Sequence, residues 1–586
     1  MLRKYNISHM MAFIKMIFIQ RGLPFLLLGC ACLVQSLSAQ TYQLDFRITS
    51  SNNVSTIYWM GGASYLLVLQ TTTDLSPAAT WTNLATDQQF VSLNSFPATG
   101  GYAVYTTNQV LHHLTTNTLT YEAAFGLPVT NQQQFFRLSP PRPIPACCFA
   151  VFYNGLLEFS QCPTMVLNGR VHAEGPVYVG TTALLTFNAP VTMTSTLSAP
   201  LVDGLSPNWT PSDPGTWNAT FNGGPGYITN TSSIGIPGLS RTNYHFLIEV
   251  PPASEPPLSP TGQLRLFNQA QMILLVTNDI NGATNPMVSL QIQAGIHGAV
   301  PANDPLPAIL YYTNASPGLL RSNLSFLSLT NTTFDQREGK TNIFTQLDIG
   351  KFANWIATNL TVQAKLPAVN NQYPTILYVA DRRNVNVKQL ASVRLVNGAQ
   401  LPANNNLGFT VATMNPLYIL ANYNTQTASS AANASASTAN TTYTVPAALM
   451  SDSLTILSPN WSDDQGYAAY DNSQSKFDAA DMTINAAIIT GSVASTGNSG
   501  TNFSGGIHNL SRLLEDWSAK NLWLNTSFIR LWDSNLATNQ FRNPQGFNPI
   551  PVNPYYNPPT RHYSFDLNYL DPAKIPPGMP SLYLGY

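Results

Sequence analysis

Between Met165 and Met193 the chain reads MVLNGRVHAEGPVYVGTTALLTFNAPVTM, a series of very short apolar runs parted by Gly, Asn and Pro. The same texture returns between Leu407 and Gly491 in LGFTVAT, PLYILANY, AALMSDSLTIL and INAAIITG. Runs of roughly three to six residues at spacings of about 8–15 are too short for helices and too frequent for alternating βαβ units. They predict a mainly β chain whose larger part is a β-helix or solenoid-like body of stacked coils.

Other patterns divide the chain. Tyr65–Gln70, Trp81–Leu84, Tyr102–Tyr105 and Gln134–Leu138 alternate or cluster as strands between polar turns, which predicts a small β-sandwich-like module over 41–138. Ser139–Pro145 is a stiff Pro-rich linker. The β-helix-like body then spans 146–542. Within it, 201–262 is rich in Pro, Gly and Asn and reads as a long insertion or irregular coils, with Phe246–Val250 as one strand. Leu264–Val276 is apolar without a deciding period, strand or short helix. Two helices are predicted. Ile349, Phe352, Ala353 and Ile356 follow Asp348 as N-cap, and Ile507, Leu510, Leu513, Leu514 and Trp517 follow Gly505 and Gly506. The low-complexity stretch 427–442 reads as a mobile surface loop. The tail over 543–586, dense in proline from Pro544 to Pro580, reads as an extended surface segment and not a central strand.

Composition sharpens this picture. Only 9% of the 586 residues are Asp, Glu, Lys or Arg, while 44% are hydrophobic. An ordinary soluble domain carries about 25% charge. Ser, Thr and Asn must therefore supply the polar surface, which suits β-turns and ladders better than solvated helices. A net charge of −1 leaves no basic field to collect nucleic acid.

At the N-terminus, Lys4, Lys15 and Arg21 precede the apolar run Leu23–Val34, and Ser36–Ala39 offers a small-residue cleavage site. This is the pattern of a signal peptide over 1–39. The run of about 12 apolar residues falls short of the ~20 that span a bilayer, so no transmembrane span is expected in the mature chain. The expected address is export: extracellular, cell surface or periplasmic. Leu27-Leu-Gly-Cys30 is a rival, lipobox-like reading that would anchor Cys30, and Met10, Met11 and Met16 are rival starts.

Candidate chemistry is sparse. Of Cys147, Cys148 and Cys162, one of the adjacent pair could bridge Cys162 across a loop of about 15 residues, worth roughly 3 kcal/mol. All three could equally be buried as small apolar residues. Asp463 and Asp464 follow Trp461, a pairing that could suit a sugar site, in a loop that otherwise reads as a solvated turn. Asp335, Arg337, Glu338 and Lys340 form the densest charge cluster and read as an exposed turn with internal ion pairing, the alternative being a binding patch. Glu515 and Asp516 read as the solvated face of the second helix, and Asp381, Arg382 and Arg383 as a turn. His112 and His113 are adjacent and cannot share one metal from a strand. No HExxH, EF-hand, P-loop or GxSxG pattern occurs. No catalytic, cofactor-binding or metal residue is therefore assigned, and no cofactor is expected.

Two resemblances follow from ordered motifs. LLVLQTTTDLSPAATWTNL followed by QQQFFRLSP is similar to a module of secreted bacterial proteins, which implies an immunoglobulin-like or fibronectin-like fold and no activity. Phe334–Lys340, Leu347–Gly350, Ile484–Gly491, Phe503–Gly506, Arg512–Trp517 and Tyr555–Arg561, in that order, resemble uncharacterised exported bacterial proteins of the PilX-like, type IV pilus assembly-related group. That resemblance implies a large β-rich envelope or surface protein, with pilus-like assembly or adhesion as its setting and envelope proteins, pilus-like proteins or surface glycans as partners. It brings no catalytic residues. The chain departs from pilin-like proteins in lacking a prepilin cleavage site, which favours a secreted relative over a filament subunit. The expected function is non-enzymatic, structural or interacting; the alternative is a secreted β-helix polysaccharide lyase or hydrolase.

Overall fold

The computed structural model describes the backbone of the strands between 46 and 139. From 143 to 584 it describes all residues except 161–163, 181–183, 199–218, 224–225, 279–285, 293–307, 313–323, 367–372, 403–406, 431–432, 468–477, 495–503, 505 and 541–555. The signal-peptide region and Cys162 lie outside the described residues. The fold is mainly β. Two compact units divide the chain: Met1–Ile144 with Asn230–Gly238 and Leu582–Tyr586, and Pro145–Thr229 with Leu239–Ser581.

The first unit is antiparallel. Phe46–Ser51 pairs with Val54–Gly62, then come Thr120–Pro128, Val110–Leu114 and Ala103–Tyr105. A second sheet joins Thr82–Asn83, Val68–Thr72 and Phe135–Ser139. All four segments read as strands from the sequence overlap one of these. His112 and His113 lie on Val110–Leu114, in register with Ala123 and Glu122.

The second unit is built on parallel ladders. Val151–Tyr153 pairs with Val171–Ala173, and that with Val191–Met193, a step of twenty residues. Leu157–Ser160 and Val177–Gly180 repeat the same step, as do Met165–Leu167 and Leu185–Phe187. Side-chain alternation explains why such short strands hold. Met165 and Leu167 are buried while Val166 between them is exposed, so each strand sends every second residue inward. Three residues cannot hold a strand alone; the ladder and the shared core do, at about 1.5–3 kcal/mol per buried large apolar side chain. Successive strands here start only 6 to 8 residues apart, closer than the 8–15 expected from the sequence, and the twenty-residue step spans three of them.

Later circuits are longer. Met272–Asn278, Ile376–Asp381, Phe409–Thr413, Ala447–Ser451, Ala487–Thr490 and Phe528–Arg530 run parallel in that order. Phe528–Arg530 then pairs with Val151–Tyr153, so the strand that opens the body sits inside the sheet. Stack order and chain order thus differ: residues 272–530 come first and 151–228 follow. The seam is fully bonded. Phe528 N donates to Ala150 O at 2.9 Å, Asn154 N to Arg530 O at 2.8 Å, and Ser527 Oγ to Phe149 O at 2.5 Å. At the far end, Met272–Asn278 pairs antiparallel with Pro286–Ile292, and that with Ala308–Tyr312, closing the parallel edge.

Polar ladders follow the same steps. Asn222 Nδ2 donates to Asn188 Oδ1 at 2.9 Å, and Asn188 Nδ2 to Asn168 Oδ1 at 2.8 Å. Asn525 Nδ2 donates to Asn485 Oδ1 at 2.7 Å inside the unit. Uncharged amides satisfy one another between successive parallel strands and turns, which is how a charge-poor chain keeps its turns bonded. Gly506 marks a close crossing: a Cβ there would lie 2.1 Å from Glu158 O, and its φ is +67°.

Helix Ile349–Thr358 forms where the spacing predicts it, with Asp348 Oδ1 accepting from Lys351 N at 2.9 Å. Four expectations are corrected. Residues 507–517 form a 3-10 turn, Gly506–Asn509, and a strand, Ser511–Leu513, because parallel pairing with Leu454–Ile456 overrides the helical spacing. Of Phe246–Val250, residues Phe246–Ile248 end the 3-10 helix Arg241–Ile248, which buries Tyr244, Leu247 and Ile248 together, and Glu249 caps it. The stretch around 433–442 is tied down, with Ser435 fully buried and Ser437 N donating to Thr483 Oγ1 at 2.8 Å. Within the tail, Thr560–Phe565 is not a central strand, as expected, but it leaves the surface path to pair along its whole length with Asn521–Thr526 as a sheet edge, since the flanking prolines leave those six residues free. Leu264–Val276 resolves into both alternatives, a helix at Leu266–Gln269 and then the strand from Met272.

Candidate functional site

Three of the acidic motifs meet at one place. The hairpin of Thr332–Asp335 and Lys340–Asp348 carries the 334–340 motif, the 3-10 turn Asp463–Tyr467 follows Trp461, and Ser511–Leu513 leads into Leu514 and Glu515. Phe334, Gln336, Trp461, Gln465, Gly466, Leu514 and Glu515 line a shallow pocket between them. It encloses about 280 Å³ counting its open mouth, with room at the floor for one water-sized group.

Below it lies a buried charge network, against the expectation of an exposed turn. Asp335, Arg337, Glu338 and Arg512 are all 1–3% exposed. Arg512 pairs with Glu338 and donates to Ala537 O. Tyr418 Oη donates to Asp335 Oδ2 at 2.6 Å and accepts from Asn342 Nδ2 at 2.9 Å, and Ser392 Oγ donates to Asn342 Oδ1 at 2.7 Å. Asp335 Oδ1 accepts from Glu338 N at 3.0 Å, and Glu338 Oε2 from Asn539 N at 3.2 Å. Burial raises the Glu338 carboxyl while Arg512 pulls it down. Burial also opposes charge on Arg512, but Glu338 and Asp335 outweigh it and keep the guanidinium ionised. The exposed-turn reading fails because two cations and two acids placed together can be desolvated as a set.

The remaining acids are also engaged. Asp463 is ion-paired with Arg394, accepts from Trp461 Nε1 at 3.3 Å, and its carbonyl accepts from Thr333 Oγ1 at 2.7 Å. Asp464 is exposed beside Ser462. Glu515, read from the sequence as solvated, is 1% exposed and accepts from both Ser458 N and Ser458 Oγ at 2.6 Å. Burial lifts its carboxyl to about 7 against those two bonds. Asp516 is half-buried and caps Ser518 N at 2.8 Å. Asp381 closes the strand Ile376–Asp381, is 3% exposed, and pairs with Arg383, which donates to it through Nε at 3.0 Å.

A second buried set joins the 3-10 helix Arg241–Ile248 to the ladders. His245 Nε2 meets Asp452 Oδ1 at 3.1 Å and its Nδ1 meets Glu249 Oε1 at 2.7 Å. Burial works against charge on His245, and the two carboxylates outweigh it, raising the imidazole to about 9. Asp452 also accepts from Ser534 Oγ at 2.5 Å and from Asn535 N at 2.6 Å. Cys147 is buried with its thiol pushed up, chiefly by burial, and Cys148 is half-buried with Sγ donating to Tyr569 O at 3.3 Å.

Arg394, Tyr418, Ser458 and Gln465 are the participants that sequence reading misses. A signal was present for Arg394: an arginine inside the apolar strand Gln389–Val396 of a charge-poor chain needs a buried partner. Among the described residues, no group of three or more His, Cys, Asp or Glu could hold a metal ion, and no helix is long and apolar enough to cross a membrane. Comparison with known protein families, curated proteins and solved structures returned no match.

Proposed function

We propose that this chain is an exported, non-enzymatic contact protein of the bacterial cell surface or envelope. In this reading the second unit is a rigid β-solenoid and the first a sandwich-like module, related to the PilX-like exported group and working in adhesion or pilus-like assembly. The observation that carries it is the fate of the candidate acids. Asp335, Glu338 and Asp463 each bond to a partner inside the unit, so they brace neighbouring strands instead of facing a substrate. In-register parallel ladders support the stiffness this role needs.

One observation favours the carbohydrate-active alternative: Glu515, lifted to about 7, lines a pocket with Trp461. Against it, the pocket floor admits a water-sized group, far below a sugar ring, and no second free acid lines it. Incubating the mature chain with a panel of polysaccharides tests the choice. Reproducible cleavage that disappears in Glu515→Gln would establish the enzyme; the expected result is no cleavage. Cell fractionation tests the address, and a cytosolic product would refute export.

A further inference from the structure

The pocket between Trp461, Phe334 and Glu515 has a one-sided polar lining. Gln465 is 9% exposed, and its Oε1 has no hydrogen-bond partner. Its Nε2 donates to Asn460 O at 3.2 Å, which leaves the oxygen for the pocket. Glu515 adds a carboxylate that accepts two bonds and has lone pairs to spare. The donors nearby are bonded within the unit: Trp461 Nε1 to Asp463, Ser458 N and Oγ to Glu515, and Gln336 Nε2 to Gly466 O at 3.5 Å. The spare acceptors of Gln465 and Glu515 favour an occupant that donates. Aromatic rings of Trp461 and Phe334 on the wall favour a cation over a neutral donor. The small floor favours a compact head on an unbranched stem over a ring.

We propose that this pocket receives a primary ammonium group on a slender aliphatic stem, the lysine side chain of a partner protein. The ammonium sits between Gln465 Oε1 and the Glu515 carboxylate, and the stem lies along Trp461. The pocket's chemistry stands by itself; only the choice of a protein as the source of the ammonium rests on the contact reading above.

Calorimetric titration of the full mature chain with Nα-acetyl-lysine methylamide tests it. The norleucine analogue, which keeps the stem and lacks the charge, and glucosamine, the carbohydrate source of an ammonium, run beside it. Saturable one-to-one binding of the lysine analogue alone is expected. It should weaken about tenfold in Glu515→Gln and in Gln465→Leu, as for loss of one charge-assisted bond, and stay unchanged in Asp464→Asn. Circular dichroism of each variant checks the fold, and the wild-type comparison of lysine with norleucine decides even if a variant misfolds. Equal binding of norleucine, preference for glucosamine, or no saturable heat with an ordered water as the sole occupant would each overturn the proposal. A negative polysaccharide screen leaves this result untouched, so the two readings fail separately.

Discussion

Replacing Arg512 by Met removes a guanidinium that is fully enclosed between Glu338 and Ala537 O. Methionine fills similar space, so the loss is electrostatic: Glu338, 3% exposed, loses the ion pair it makes with Arg512. Breaking a buried pair from one side costs about 3–5 kcal/mol. The second unit comprises roughly 430 residues. At about 2.1 cal/mol/K of unfolding entropy per residue, its melting entropy is about 0.9 kcal/mol/K, so the variant should melt about 3–6 °C lower. Glu338→Gln in the same background leaves no stranded charge and should recover at least half of the drop. Sign and pH agree: with Arg512 gone, burial raises the Glu338 carboxyl further, so the deficit should grow as pH rises from 5 to 8. Differential scanning calorimetry of the wild type, both singles and the double at pH 5 and pH 8 reads all of this. A single variant melting within 1 °C of wild type, or a double as low as the summed singles, would refute a desolvated, coupled pair.

The amide ladders should rank by burial. Asn485→Ala removes bonds to Asn424 O and from Asn525 in the interior and should cost about 2–4 kcal/mol, whereas Asn188→Ala on the exposed ladder should cost about 1 kcal/mol, both read from melting shifts. Acid and base should act in opposite places. The His245 contribution is complete below about 6.5 and should fade as pH rises toward about 9, a decline that His245→Gln abolishes in a pH-melting series. Glu515 has the converse form of penalty: its folded carboxyl sits near 7, so stability should fall between about 4.5 and 7, and Glu515→Gln should flatten that segment. Hydrogen exchange read by mass spectrometry should find Phe528 N, bonded across the seam to Ala150 O, as protected as Ile488 N within the continuous run; a fast-exchanging Phe528 would mean the seam opens on its own.

Strand class was legible from the sequence because short apolar runs between Gly, Asn and Pro have few other solutions. The helix at Ile349–Thr358 was legible because its cap and stripe agree. The run 507–517 was not: Ile507, Leu510, Leu513, Leu514 and Trp517 are all buried, so their apolarity was read correctly and their period was not. When both faces of a segment are covered, spacing stops reporting geometry. The candidate site was legible as three separate motifs and illegible as a site. Glu338 and Arg512 lie far apart in the chain, and nothing local says that they pair or that Tyr418 bonds to Asp335. Counting charges misled in the same way, since a cluster of Asp, Arg, Glu and Lys reads as solvated until its partners are known.

The scarcity of charge and its burial have one explanation in the stack itself. Buried Val, Leu, Ile and Phe are nearly interchangeable from one parallel strand to the next, so a slip by one strand would still bury apolar surface. Hydrophobic packing alone therefore leaves register, and the unusual order of the strands, weakly specified. Buried polar pairs do not slip. Glu338 finds Arg512, Asp463 finds Arg394, Asp452 finds His245 and Glu174 finds Arg241 in one arrangement only, and each slipped arrangement strands a charge. The seam needs such marking most, because there the strand Val151–Tyr153 must find Phe528–Arg530 across the length of the chain. Its polar bonds supply it: Arg530 Nη1 donates to Asn154 O at 2.6 Å and Asn154 Nδ2 to Leu531 O at 2.7 Å. A few well-placed charges thus decide which strand meets which, while the uncharged remainder supplies the adhesion that any register would share.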